Sequence, residues 1–213
     1  MSPAAHPGPD RSPPLPTEGS GGKVRTLRPQ TETPTAELVQ RARQGDRWAE
    51  EALYRRHVGS LTGVVTRLLA SRQDAEDVVQ DTFVTAFEKI GQLREPEAFG
   101  AWLLQIGVRH VSARFRKRAL LRILGVSTAP DALLGQLASP ATPPDVRAEL
   151  ALLDGALQQL PARARIPWML RHVEERDLAE VARLCQCSLA TVKRRIASAE
   201  IEVRAHLKEV RRD

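Results

Sequence analysis

The residues best placed to do chemistry lie near the C-terminus, in DLAEVARLCQCSLATVKRRI at positions 177–196. Asp177 and Glu180 form a capping pair that opens a short helix over 178–184. Cys185, Gln186 and Cys187 make a three-residue turn, and Ser188 caps a second helix. In that helix Leu189, Val192, Ile196, Ala199 and Val203 recur at helical spacing and face inward. Ala190, Thr191, Lys193, Arg194 and Arg195 therefore face outward near its N-terminal end. A short helix, a tight turn and a basic, exposed helix start can seat in the major groove of DNA. An arginine there can contact guanine through two hydrogen bonds, worth about 1–3 kcal/mol of discrimination. An ordinary helical hairpin with a solvated basic face has the same spacing. The turn also carries a local conflict. Such turns often use glycine at positive φ, and Gln186 stands near that position at a cost of about 1 kcal/mol.

Two further clusters have opposite signs. Residues 74–88 contain Asp74, Glu76, Asp77, Asp81 and Glu88 and neither lysine nor arginine. Residues 109–122 contain Arg109, Arg114, Arg116, Lys117, Arg118 and Arg122 and no acidic residue. Neither cluster suggests catalysis. The carboxylates share one exposed helix face, the 5 histidines have no ligand spacing, and no serine or cysteine sits in an activated constellation. The only cysteines, Cys185 and Cys187, complete no zinc site and no disulfide framework, and they fit a reducing cytoplasm. GSGGK at 19–23 fails as a phosphate loop, because Thr17 and Val24 occupy positions that need glycine and a hydroxyl residue. The residues point to no enzyme, metal or cofactor and to no small-molecule substrate.

The elements that position these clusters are helical throughout. Thr33-Pro34 reads as N-cap and first residue of a helix reaching about Gln44. Asp46 caps a second helix over 47–69, with Leu53, Val58, Leu61, Val64, Val65 and Leu68 at helical period. Asp74 caps a third, where Glu76 and Asp77 suit the positive end of the dipole. Its inner stripe is Ala75, Val78, Val79, Phe83, Ala86, Phe87 and Ile90. After a loop at 91–95, Pro96 starts a fourth helix with Phe99, Trp102, Leu103, Ile106 and His110 inward. Phe99 and Trp102 resemble stacking platforms, but their spacing on the apolar face assigns them to the core. A fifth helix over 145–159 presents Leu150, Leu153, Leu157 and Leu160. Pro167 requires the helix after Pro161 either to begin late or to kink.

Composition frames these elements. The chain has 213 residues, 42% apolar and 27% charged, with net charge +6, which suits a soluble folded protein and a polyanionic partner. No apolar run approaches the roughly 18 residues of a membrane span, and the N-terminus lacks the apolar segment of a secretory signal. Neither membrane insertion nor export is expected. Eight of the 15 prolines fall within the first 34 residues. The expected organisation is all-α: a disordered Pro/Gly-rich extension (1–33), a helical domain (34–123), a flexible linker (124–145) and a second helical domain (146–209).

Both halves together resemble the extracytoplasmic-function (ECF, group IV) type of sigma-70 family RNA polymerase sigma factor. DAEDVVQDTFVTAF at 74–87 resembles region 2.2, and FGAWLLQIGVRHVSARFRKR at 99–118 resembles regions 2.3 and 2.4. LQQLPARARIPWMLRHVEERDLAEVARLCQCSLATVKRRI at 157–196 resembles region 4. The resemblance implies core RNA polymerase, promoter DNA and an anti-sigma factor as partners, in the cytoplasm. It assigns core-polymerase binding to Glu76, Asp77, Gln80, Asp81 and the rim residue Val84. It assigns the −10 element to Gln92, Leu93 and Arg94 in the loop and to Arg109, Arg114, Arg116, Lys117 and Arg118 on the following helix. Ser188, Thr191, Lys193, Arg194 and Arg195 match positions that contact the −35 element, while Arg163 and Arg165 are structural or backbone-contacting.

Four positions depart from the family pattern. Arg109 stands where many relatives have asparagine, Pro167 and Gln186 replace the usual region 4 residues, and Glu200 replaces a common basic residue. These departures bear on promoter sequence rather than on the class of activity. The competing assignment is a conventional helix-turn-helix regulator that binds duplex DNA without being a polymerase subunit.

Overall fold

In the computed structural model of the chain, residues 33–125 and 142–210 are described, and every regular element among them is helical. The expected extension up to residue 32 and linker residues 126–141 lie outside the described residues.

Helix α1 spans Thr35–Ala42, and its N-cap is Pro34 rather than Thr33. Thr33 is buried and turned to another use, since its carbonyl accepts from Arg56 Nη2 at 2.8 Å. Helix α2 (Arg47–Leu69) is capped as its sequence requires, with Asp46 Oδ1 accepting from the Trp48 and Ala49 amides at 3.0 and 3.4 Å. Helix α3 (Arg72–Glu88) begins earlier than the expected Asp74 cap. Ser71 caps it, accepting from the Asp74 amide at 3.3 Å, and this frees the Asp74 carboxylate for tertiary contacts. Two 3-10 turns, Ile90–Gln92 and Pro96–Ala98, lead into α4 (Phe99–Ile123).

Helices α2, α3 and α4 pack on one another around Leu53, Val65, Leu68, Phe83, Phe99 and Leu103. Phe99 is fully buried, and half-buried Trp102 packs on it with ring centroids 6.1 Å apart, so both serve the core.

The second half contains α5 (Pro144–Gln159), α6 (Ala162–His172), α7 (Leu178–Leu184) and α8 (Leu189–Val210). α8 packs on the other three around Leu157, Met169, Leu170, Val181, Val192 and Ala199. α6 neither begins late nor stops early: Pro167 sits buried inside it. Its ring nitrogen cannot donate, so the Arg163 carbonyl one turn back lacks its helical partner. Leu189, expected inside, is 44% exposed. As the first residue of α8 its side chain tilts off the helix end rather than into the bundle.

The two halves touch. α4 packs against α6 and α7. Arg67 on α2 meets Glu174, beyond α6, through two hydrogen bonds, the Nη2–Oε2 pair at 2.8 Å. Gln105 Nε2 donates to the Arg183 carbonyl at 2.8 Å. No helix among the described residues is long and apolar enough to cross a membrane.

Candidate nucleic-acid interface

The helix-turn-helix is built from its caps outward. Asp177 accepts from the Glu180 amide at 2.8 Å and starts α7. Ser188 Oγ accepts from the Thr191 amide at 3.2 Å and lies 2.8 Å from Thr191 Oγ1, so the two hydroxyls are engaged with each other at the start of α8. Between the caps, Gln186 adopts φ 51. That left-handed backbone is the one expected for this turn, held here by a residue that pays a steric cost for it. Cys185 is mostly buried; burial first, and then neighbouring Cys187, push its thiol up to about 12. It is structural.

Beyond Ser188, Lys193 and Arg194 are exposed on α8. Among the described residues neither forms an ion pair, so both cations face solvent. Arg195 is half-buried, its Nη1 3.6 Å from Cys187 Sγ. Glu200 faces inward enough to lie 3.4 Å from His172 Nε2.

The basic cluster of α4 divides under the structure. Arg114 Nε donates to Asp74 Oδ1 at 2.9 Å and Nη2 to Asp77 Oδ2 at 3.0 Å. Arg118 binds the other Asp74 oxygen and donates to the Leu69 carbonyl at 3.3 Å. Partial burial alone would raise the Asp74 carboxyl, but the Arg114 hydrogen bond and the charges of both arginines outweigh it and hold it below the usual range. Arg114 and Arg118 therefore tie α4 to α3, while Arg116 and Lys117 are left exposed. Arg109 is exposed, and its Nε donates to Gln186 Oε1 at 2.7 Å.

In the loop before α4, Gln92 and Arg94 are exposed but Leu93 is only 6% exposed. Leu93 is thereby corrected from a reading residue to a core residue that anchors the loop. Arg43 at the end of α1 clamps this loop, donating to the Ile90 carbonyl at 3.2 Å and to the Leu93 carbonyl. Sequence reasoning missed Arg43, since nothing local connects positions about fifty residues apart.

On α3, Glu76, Asp77, Gln80, Asp81 and Val84 all lie on the exposed side. Glu76 pairs with Arg72 at 3.0 Å and Asp77 with Arg114. Asp81 forms no ion pair among the described residues. Val84 is 52% exposed, and Tyr54 of α2, also exposed, packs on Phe83 with ring centroids 4.7 Å apart. Through Phe83, Tyr54 adds an exposed aromatic where α2 packs on α3, and it was not legible as a surface residue from its position in α2.

Between the halves lies a cavity of about 990 Å3 whose wall includes Arg116, Arg118, Arg163, Arg165 and Arg195 and, among the described residues, no carboxylate. Arg165 is buried there, its guanidinium 5.0 Å from the centre of the Phe115 ring.

Comparison with known proteins agrees with this architecture. Residues 53–120 match Sigma-70 region 2, and residues 150–201 match Sigma-70, region 4. The chain is 30% identical over 178 residues to the RNA polymerase sigma-H factor of Pseudomonas aeruginosa, covering 78% of this chain and 90% of that protein. It is 30% identical over 166 residues to the ECF RNA polymerase sigma-E factor of Haemophilus influenzae, covering 75% of this chain and 87% of that one. The fold resembles that of the sigma factor RpoE from Bartonella quintana, solved in complex with the anti-sigma factor NepR. The TM-score is 0.53 at 22% identity, over 74% of this chain and 96% of that one. The chain belongs to the sigma-70 family of RNA polymerase sigma factors, in its extracytoplasmic-function branch.

Proposed function

We propose that the chain's acidic α3 face docks on core RNA polymerase and that its two basic surfaces read the −10 and −35 promoter elements. The observation that carries this division is the sign separation. α3 presents Asp81 and Gln80 beside exposed Val84, which suits a basic helical surface with a hydrophobic patch. On the opposite side of the charge balance, Lys193 and Arg194 project from the start of α8, where a helix-turn-helix inserts into the major groove. Gln92, Arg94, Arg109, Arg116 and Lys117 form the exposed remainder of the −10 group. Arg114 and Arg118 act there as positioning residues, because their guanidinium groups hold Asp74.

The chain itself performs no reaction in this scheme. It lends binding energy to promoter recognition and strand opening, where an extruded base costs a few kcal/mol that pocket and phosphate contacts offset. It works where core polymerase works, in the cytoplasm. The Bartonella relative was solved with an anti-sigma factor, and we expect a partner of that class here; the arginine-lined cavity suits an acidic segment of it. A regulator acting alone would not require an acidic face with an apolar rim.

The test is co-elution of the purified chain with core polymerase at low salt, followed by run-off transcription. Wild type should bind core and initiate, whereas Asp81→Arg should lose core binding with an unchanged circular-dichroism melt. Absence of core binding by the wild type would favour the stand-alone regulator, and full affinity in Asp81→Arg would remove α3 as the docking face.

A further inference from the structure

The loop between α3 and α4 is held from outside itself, by one side chain at the end of α1. Arg43 is half-buried and turns one edge of its guanidinium toward the loop. Nε donates to the Ile90 carbonyl at 3.2 Å, and Nη2 donates to the Leu93 carbonyl. The third nitrogen, Nη1, donates to Gln40 Oε1 at 3.3 Å, which fixes the plane of the group from within α1. Ile90 and Leu93 are buried, whereas Gly91, Gln92, Arg94 and Glu95 around them are exposed.

The two carbonyls need this donor in different ways. The Ile90 carbonyl already accepts from the Leu93 amide at 3.3 Å, so Arg43 uses its second lone pair and ties the 3-10 turn to α1. The Leu93 carbonyl receives no backbone N–H among the described residues, and Arg43 supplies its hydrogen bond. α1 also packs on the second 3-10 turn, Pro96–Ala98, so one helix steadies the loop at both of its turns. Gln92 and Arg94 therefore flank a residue whose side chain is buried and whose carbonyl is tied. Their own side chains leave a backbone that Arg43 has pinned.

We propose that Arg43 is a positioning residue for −10 recognition: by holding two loop carbonyls it fixes where Gln92 and Arg94 project, and so sets how strictly the loop discriminates bases. Arg43 itself touches no base. The requirement is geometric as well as electrostatic, since a guanidinium edge presents two parallel donors and an ammonium presents a single point of charge. A reading group must be held within about 0.5 Å of its productive place, which a loop achieves only through such supporting bonds. The consequence for promoter choice rests on the function proposed above.

The experiment reconstitutes full-length wild type, Arg43→Ala and Arg43→Lys with core polymerase. Each transcribes a promoter library randomised across its −35 and −10 elements, with every promoter identified by a barcode in its transcript. Both variants should lose base preference at −10 several-fold while keeping the wild-type preference at −35, a split that general unfolding does not produce. Lysine retains the charge and the stem. Should Arg43→Ala fail to fold, Arg43→Lys alone must show the relaxed −10 preference. Full −10 preference in Arg43→Lys, or in a folded Arg43→Ala, would overturn the positioning role. Amide hydrogen exchange on the free chain reads the clamp without a promoter: the Leu93 amide should exchange several-fold faster in both variants, and unchanged exchange counts against the clamp. Gln92→Ala and Arg94→Ala in the same library separate the two failures. If they relax the −10 preference and the Arg43 variants do not, the positioning inference alone fails. If they too leave it unchanged, the loop is not the reader, and the functional assignment of the loop falls together with the role of Arg43.

Discussion

Arg114 closes on Asp74 across forty residues of sequence, its Nε 2.9 Å from Oδ1, and so turns an apparent DNA-binding cation into a tie between α4 and α3. Asp74 serves Arg118 as well, with a side chain 14% exposed. The acidic helix and the basic helix are therefore joined at their roots, while Asp81 on α3 and Arg116 and Lys117 on α4 stay exposed.

This junction makes stability depend on pH. The folded Asp74 carboxyl lies below its ordinary value of 3.8, so its contribution is complete above that value and is lost as pH falls through the folded one. Asp74→Asn should cost about 1.5–3 kcal/mol at neutral pH, the range for hydrogen bonds to charged groups. The gap between wild type and variant should close as the pH drops below 3.8. Urea melts of both proteins across that window check the sign. Asp46 and Asp177 shift in the same direction, but they cancel in the comparison.

Leu93→Ala separates packing from reading within one loop. Removing this buried side chain should destabilise the first half by about 2–4 kcal/mol. Gln92→Ala and Arg94→Ala, both exposed, should stay within about 0.5 kcal/mol of wild type. Denaturant midpoints decide it. A Leu93→Ala protein as stable as wild type would return Leu93 to the surface.

Lys193→Ala and Arg194→Ala should weaken binding to −35 duplex while leaving core-polymerase binding intact. A residue that contacts phosphate should lower the salt slope by about one and affect all sequences alike. A residue that contacts a base should instead relax selectivity at one position, at a cost of about 1–3 kcal/mol. Fluorescence anisotropy over a salt series distinguishes the two. Unchanged affinity and selectivity in both variants would move the reading surface elsewhere.

Cys185, with its thiol pushed up to about 12, should resist alkylation at neutral pH in the folded chain and react only after unfolding. Peptide mapping after iodoacetamide treatment measures this directly. Rapid labelling of Cys185 in the native protein would mean that the turn opens.

Periodicity and capping chemistry made most of the helices legible in advance. Asp46, Asp177 and Ser188 cap the helices they were expected to cap, because an N-cap is a contact between neighbours two or three residues apart. The same local rule misplaced the start of α3. Ser71 and Asp74 can each cap a helix, and the choice between them depended on Arg114 and Arg118, which sequence distance hides. Leu93 was misread for a related reason. A single leucine in a polar loop has no period to reveal its side, and its burial is set by the packed helices around it together with Arg43 on the loop carbonyls.

What the sequence determined by itself was therefore the helical alphabet of this protein, the order of its two halves and the sign of each charged surface. Those properties follow from nearest-neighbour sterics, apolar spacing and the count of ionised groups. What only the tertiary structure decided was which charges are spent inside the molecule. Asp74, Arg114, Arg118, Glu174 and Arg67 meet partners tens of residues away, because folding brings together groups that no local pattern relates. Asp81, Lys193 and Arg194 meet no such ion partner among the described residues, and their charge is directed outward.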